Sequence, residues 1–199
     1  MPPTSASLLE RLSDRADSDA WSRMVDLYSP MIRSWLGRYD LAEPDIDDIS
    51  QTVLSAVVAN LPKFQHNGRV GAFRRWLRTI TVNSLRDKFR WERKRSDSPG
   101  GSAFLASLNE LEDPESGLSQ IWDRFHDEHV ARTLLAWAEH EFEPKTWRAF
   151  RRQVIEEARP ATVAAELEIS VNAVVIAKCR VLKRLRELGH VLIDEYHVR

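Results

Sequence analysis

An all-α fold is expected from three observations. Apolar residues recur at three- and four-residue steps along nearly the whole chain, no period-2 run of β-branched residues stands between turn signals, and glycine occurs only 7 times in 199 residues. At 43% hydrophobic and 30% charged, the chain has enough apolar surface for one ordinary domain or two small ones. Cys179 is the single cysteine, which excludes an internal disulfide and a multi-cysteine metal knuckle and fits a reducing cytoplasm. The start, Met1-Pro2-Pro3-Thr4-Ser5, has neither the basic opening nor the apolar run of a signal peptide. No stretch approaches the ~18 uninterrupted apolar residues of a membrane span. A soluble, cytoplasmic protein without membrane contact is therefore expected.

Leu8, Leu9 and Leu12, then Trp21, Met24, Val25, Leu27, Tyr28, Ile32, Trp35 and Leu36, fall at helical spacing and form stripes that need covering. Pro30 within this run predicts a kink or a new helix start, because its nitrogen has no proton to donate. Pro44-Asp45-Ile46-Asp47-Asp48 opens the next helix. Its carboxylates complement the positive end of the helix dipole, and Ile49, Val53, Leu54, Val57, Val58 and Leu61 supply a buried stripe up to Pro62. Lys63 to Gly71 contains two glycines and no periodicity, so it reads as a loop.

A long helix follows from about Ala72 to Arg93, with Phe73, Trp76, Leu77, Ile80, Leu85 and Phe89 as its core face. Beyond it, Ser96 to Ser102 and Asp113 to Gly117 have a composition that buries little and behaves as a linker. Ile121, Trp122, Phe125, Val130, Leu134, Leu135, Trp137 and Ala138 then resume the helical period, followed by Trp147, Phe150, Val154 and Ile155. Two further elements are a short helix from Ala161 to Glu168 and a longer one from Val171 to Leu188, which Ser170 can cap and Gly189 can stop. A short helix, a tight connection and a longer basic helix make a helix-turn-helix.

Charge is distributed unevenly beneath a formal net charge of -1. Lys63 to Arg95 holds eleven cations against Asp87 and Glu92, whereas Ser96 to Asp123 holds six carboxylates and no Lys or Arg. Large fields of one sign usually serve association. Arg74, Arg75, Arg78, Asn83, Arg86, Asp87 and Arg90 lie off the core face of the long helix, beside a loop carrying Phe64 and Arg69. Guanidinium groups neutralise phosphates, aromatic rings stack on unpaired bases at roughly 1–3 kcal/mol per base, and a loop can enclose a flipped base. That chemistry suits single-stranded DNA and expects the arginines to stand clear of intramolecular carboxylates. The plainer reading makes Phe73 and Trp76 ordinary core and the arginines a solvated face.

In the last helix, Val174, Ala177, Val181, Leu185 and Leu188 share one stripe, leaving Asn172, Val175, Ile176, Cys179, Arg180 and Lys183 on the opposite face. Asn172 and Arg180 can reach base edges or phosphates, and Val175 or Ile176 a thymine methyl. His126-Asp127-Glu128-His129 spaces its histidines three apart, not four as in the zinc-protease pattern, and has no third ligand cluster. Cys179 reads as an inert thiol, and no phosphate-cradling glycine loop or nucleophile elbow is present. Neither a catalytic residue, a metal nor a cofactor is expected.

Together these residues resemble the extracytoplasmic-function (ECF) group of bacterial sigma factors, the two-domain members that keep only regions two and four. Asp45-Ile46-Asp47-Asp48-Ile49-Ser50-Gln51-Thr52-Val53 is similar to the family's D-x-x-D-(L/I)-x-Q-x-(V/T) segment. The resemblance implies that Asp45, Asp47, Asp48 and Gln51 dock on the clamp helices of RNA polymerase. Phe73-Arg74-Arg75-Trp76-Leu77-Arg78-Thr79-Ile80-Thr81-Val82-Asn83, with Asp87, is similar to F-R-x-W-L-x-x-I-x-x-N-x-x-x-D, the part of relatives that melts and reads the minus-ten element. It implies a minus-ten site of Phe64, Arg69, Arg74, Arg75, Arg78, Asn83, Arg86, Asp87 and Arg90. Val163-Ala164-Ala165-Glu166-Leu167 resembles the E-(I/V)-A-x-x-L helix of region four, and Val171 to Leu188 its recognition helix. Asn172, Val175, Ile176, Cys179, Arg180 and Lys183 then face the minus-thirty-five element. Glu168 stands where relatives usually carry the turn glycine.

The resemblance implies a region-two domain over 5–95, a flexible acidic linker over 96–120 and a region-four domain over 121–199. The implied protein is not an enzyme. Its partners are core RNA polymerase, through the beta-prime clamp and the beta flap, promoter DNA, and in some relatives an anti-sigma factor. Two modest contacts joined by a tether gain from effective concentration. The competing reading is a stand-alone helix-turn-helix regulator, which binds duplex DNA without polymerase and with steep salt dependence.

Overall fold

A computed structural model describes residues 11–12, 17–39, 41–64, 71–95 and 101–189, with side chains left out at 91–95 and 101–105. Every regular element among these residues is helical. In chain order they are α1 (Ser18–Leu36), α2 (Glu43–Asn60), a 3-10 turn (Leu61–Lys63), α3 (Ala72–Arg95), α4 (Gly101–Glu112), α5 (Gly117–Glu139), α6 (Pro144–Val154), α7 (Pro160–Leu167) and α8 (Val171–Gly189). The chain divides into two compact units, one built on residues 8–130 and the other on 131–190, with the division inside α5. No single helix among the described residues is long and apolar enough to cross a membrane.

In the first unit, α1 begins at Asp17, whose carboxylate accepts the Ala20 N–H at 2.9 Å and pairs with Arg11 at 2.7 Å. Both contacts hold the Asp17 carboxyl below its ordinary value, the Arg11 bond contributing most. The helix runs through Pro30 with no new start there. Pro30 is exposed, and Leu27, Tyr28, Met31, Ile32, Trp35 and Leu36 bury the turns on either side of it. Helix α2 starts with Pro44 in its first turn, where no donor is lost, and buries Ile46, Ile49, Val53 and Val57. Helices α1 and α2 pack together, as do α2 and α3, and α3 and α4.

The stretch from 96 to 120 departs from its expected linker form. Residues 101–112 are helical, and Leu108 and Leu111 are fully buried. Ser119 Oγ donates to the Leu111 carbonyl at 2.8 Å, tying the start of α5 to the end of α4. The Gly, Ser and Pro that signal a linker sit at 98–102 and 113–117. Between them, Ala103 to Leu111 is rich in helix formers with apolar residues at helical spacing, a pattern that block composition averages away.

Helix α5 buries Ser119 near its start and then, at a four-residue step, Trp122, His126, Val130, Leu134 and Ala138. Within the first unit, Trp122 meets Trp35 edge-on at 4.8 Å, and Phe125 lies 5.5 Å from Trp35. His126 stacks on Tyr28 at 5.8 Å, with its Nδ1 3.0 Å from Asp127 Oδ1. His129 Nε2 lies 2.8 Å from the Leu27 carbonyl oxygen. These two histidines are packing and hydrogen-bonding groups of the helix bundle.

The second unit packs α6, α7 and α8 against one another. Its core joins Ala149, Val163, Ala164, Leu167, Val174 and Ala177, with Ala158 and Ile169 against it. Arg152 clamps Glu166 through two bonds, 2.9 and 2.6 Å, and also reaches Glu156 at 2.6 Å. Arg184 holds Glu141 in the same two-pronged way, at 2.5 and 2.8 Å. Such forked pairs fix orientation as well as charge.

Candidate nucleic-acid interface

Helix α3 presents two polar faces with different fates. Arg74, Arg78 and Arg86 turn toward α4 and α5. Arg74 pairs with Asp127 at 2.7 Å and Asp123 at 3.2 Å, and Arg78 reaches Asp123 at 3.2 Å and the Ser119 carbonyl at 3.3 Å. Arg86 pairs with Glu112 and donates to Asn109 Oδ1 at 2.6 Å. Arg78 is only 4% exposed, and its burial lowers the guanidinium pKa from the ordinary arginine value, with Asp123 opposing that shift. Trp122 Nε1 donates to the Arg74 carbonyl at 3.3 Å, so the same segment grips backbone and side chain together.

This arrangement corrects the expectation that the basic helix stands clear of intramolecular carboxylates. Arg74 and Arg78 are four residues apart, and so are Asp123 and Asp127, so each pair projects from one side of its helix and the two can interlock. Net charge summed over a block does not register that matched spacing, although both pairs are visible in the sequence. Gly71, with φ 77°, allows the packing at the start of α3, since a Cβ there would lie 2.8 Å from Arg74 Nε and 2.9 Å from Cζ.

The other face of α3 remains open to solvent. Thr79, Asn83, Asp87 and Arg90 are exposed and Arg75 is half-buried, a stripe at helical spacing of which Thr79 was not anticipated. Arg90 lies 3.4 Å from Asp87, and Arg75 Nε donates to the Gly71 carbonyl at 3.3 Å. Half-buried Phe64 and Trp76 sit 5.0 Å apart, with Phe73 beneath them at 5.6 and 5.4 Å. Phe73 is ordinary core, whereas Phe64 and Trp76 remain partly accessible. Arg69 and the loop tip at 65–70 lie outside the described residues.

On α2, the acidic group splits as well. Asp45 pairs with Lys88 of α3 at 2.8 Å, and Asp47 with Arg33 of α1, which also reaches Glu43 at 3.3 Å. Asp48 and Gln51 are exposed, with no side-chain partner among the described residues.

In the second unit, α7 and α8 are bent by 104° across the three residues Glu168 to Ser170, within the range of a helix-turn-helix. Glu168 adopts the left-handed conformation, φ 53° and ψ 50°, and Ile169 N–H closes onto the Ala164 carbonyl at 3.0 Å. That is the turn a glycine makes without a Cβ penalty. Ser170 Oγ accepts the Ala173 N–H at 3.1 Å, the anticipated cap. Val174, Ala177, Val181 and Leu188 are buried, and Asn172, Val175, Ile176, Cys179, Arg180 and Lys183 are all exposed. Arg180 and Lys183 have no ion-pair partner among the described residues.

Residues 24–95, spanning most of α1 through α3, match the family described as Sigma-70 region 2. Among solved structures, a chain of the RsbN-BldN complex, determined at 1.8 Å, aligns over 89% of this chain and 96% of that one, at 14% identity and a TM-score of 0.33. No curated protein matches the chain. The family match falls on the same packed helices that hold the exposed Asp48 and Gln51 and the open face of α3. Over residues 24–95 the chain is similar to a sigma-70 region 2 domain.

Proposed function

We propose that this protein is an ECF-type sigma factor that binds core RNA polymerase and directs promoter recognition, strand opening and transcription initiation. The observation that carries the reading is the region 2 match on α1–α3, with a polar stripe left exposed along α3. In this reading Asp48 and Gln51 dock the first unit on the polymerase clamp. The open face of α3, from Arg75 to Arg90, then lies along the minus-ten strand, with Phe64 and Trp76 offering their rings to a displaced base. Helix α8 enters the major groove of the upstream duplex, where Asn172 and Arg180 bond base edges or phosphates and Val175 and Ile176 meet thymine methyls. Bond-making belongs to the polymerase; this chain contributes binding and placement.

The deciding experiment adds the purified chain to sigma-free core polymerase and follows promoter opening. Asp48→Ala is expected to weaken core binding, whereas Arg180→Ala spares core binding and reduces recognition of upstream DNA. Tight, sequence-specific duplex binding by the chain alone, unaffected by core polymerase, overturns this reading in favour of a stand-alone regulator.

A further inference from the structure

Seven large apolar side chains are exposed among the described residues, and they are not spread evenly. Val25, Val58, Ile121 and Ile155 stand singly, as scattered surface residues do. Val171, Val175 and Ile176, at 48%, 41% and 47% exposure, fall within six consecutive positions at the start of α8. Val171 and Val175 are one helical turn apart, and Ile176 lies one turn beyond exposed Asn172, so these residues make two adjoining ridges on the open side of the helix.

Charge narrows what can cover this patch. From Val171 to Arg186 the helix holds five cations and no carboxylate, and Arg180 and Lys183 follow the apolar residues on the same exposed side. The fitting neighbour is a polyanion that also offers apolar surface. In the major groove of duplex DNA one base feature does so, the C5-methyl of thymine. Valine and isoleucine side chains neither donate nor accept a hydrogen bond, so a G·C pair beneath them loses water from its polar edge without a replacement. Asn172 is the one hydrogen-bonding side chain from 171 to 176, and its amide matches adenine, the other half of an A·T pair. At about 1.5 Å per residue the patch is roughly 9 Å long, room for about two to three base pairs.

We propose that Val171, Val175 and Ile176 read thymine C5-methyl groups, so that α8 selects a short run of A·T pairs by apolar contact while Arg180 and Lys183 grip the flanking phosphates. The inference rests on the reading of α8 as a major-groove helix and adds to it Val171 and the source of its specificity. Discrimination comes from burying methyls and from the cost of stranding polar base edges, with hydrogen bonding left to Asn172.

The test selects duplexes from a random-sequence library with the full chain bound to core polymerase, and in parallel with the chain alone. Each thymine of the enriched upstream element is then replaced in turn by deoxyuridine, which removes the methyl and keeps the base pair. At two or three positions, on the order of one per base pair covered, the replacement is expected to weaken binding about fourfold, the worth of one buried carbon. In the Val175→Ala, Ile176→Ala double variant that difference should shrink to less than about twofold, whereas Lys183→Ala should weaken thymine and deoxyuridine duplexes alike. Binding indifferent to deoxyuridine at every position overturns the proposal, as does a methyl effect that survives the double substitution. If the double variant binds every duplex as the unaltered chain does, the patch serves a protein partner and the proposal falls as well. Failure of the sigma-factor reading has a different signature: the chain alone enriches the same duplexes as tightly as it does with polymerase, and the deoxyuridine comparison still decides the methyl contact. Should neither sample enrich any duplex, the DNA role of α8 and the methyl contact fall together.

Discussion

Helices α3 and α8 look alike in sequence, each with an apolar stripe and a cationic remainder, yet they end in different surroundings. On α8 the stripe goes to the core and all six residues from Asn172 to Lys183 singled out on the opposite face reach solvent. On α3 the non-core residues divide, with Arg74, Arg78 and Arg86 covered by α4 and α5 and only Asn83, Asp87, Arg90 and their neighbours left outside. Helix α8 packs on one side, against α6 and α7. Helix α3 meets α2 and α4 through its backbone neighbours and α5 through longer side chains, so a second flank is consumed. A periodic pattern identifies which residues leave the core; it does not tell whether another helix arrives to meet them.

The contrast can be broken most forcefully at Trp122. Trp122→Ala removes a fully buried ring from the contact with Trp35 and is expected to cost about 3–5 kcal/mol in urea unfolding of the first unit. Ile176→Ala, on the open face of α8, should stay within about 0.5 kcal/mol. Next comes the pair of arginines. Arg78→Ala removes a buried guanidinium from Asp123 and the Ser119 carbonyl, leaving Asp123 with Arg74 alone, and should cost about 2 kcal/mol, whereas Arg180→Ala should leave the midpoint unchanged and lower only DNA affinity. Equal losses for the two would mean that α3 and α8 do not differ as described.

Smaller effects belong to the turn between α7 and α8. Glu168→Gly relieves the left-handed conformation and should stabilise the second unit by about 1 kcal/mol, while Ser170→Ala removes the cap and should cost about 1 kcal/mol. The smallest effect is acid sensitivity at Arg152–Glu166. Two bonds from Arg152 hold Glu166 below the ordinary glutamate value, so the folded unit releases this proton more readily than the unfolded chain. The contribution is present above the unfolded pKa of about 4.3 and is lost as pH falls through the lower folded value. Glu166→Gln should flatten that acid limb of a pH–stability curve.

Much of the local structure was legible because it depends on neighbours in sequence. The ends of α2, α3, α7 and α8 follow from Pro44, the glycine-containing loop, the turn at Glu168 and the Ser170 cap. Helix α4 was not legible from block composition, since Gly and Pro at its borders outweighed the apolar spacing inside it. Placing Trp122 at the head of a second domain likewise followed a composition boundary, whereas the ring packs on Trp35 in the unit of residues 8–130.

Helical class, the caps and turns, and the inward and outward sides of α8 were thus determined by the amino-acid order alone, because each arises from backbone preference and the 3.6-residue repeat. Tertiary structure decided which cations of α3 remain available. Arg74 and Arg78 lie 45 to 53 positions from Asp123 and Asp127, and pairing at that separation depends on how helices pack, which is set by the shared burial of Trp35, Trp122, Leu108 and Leu111.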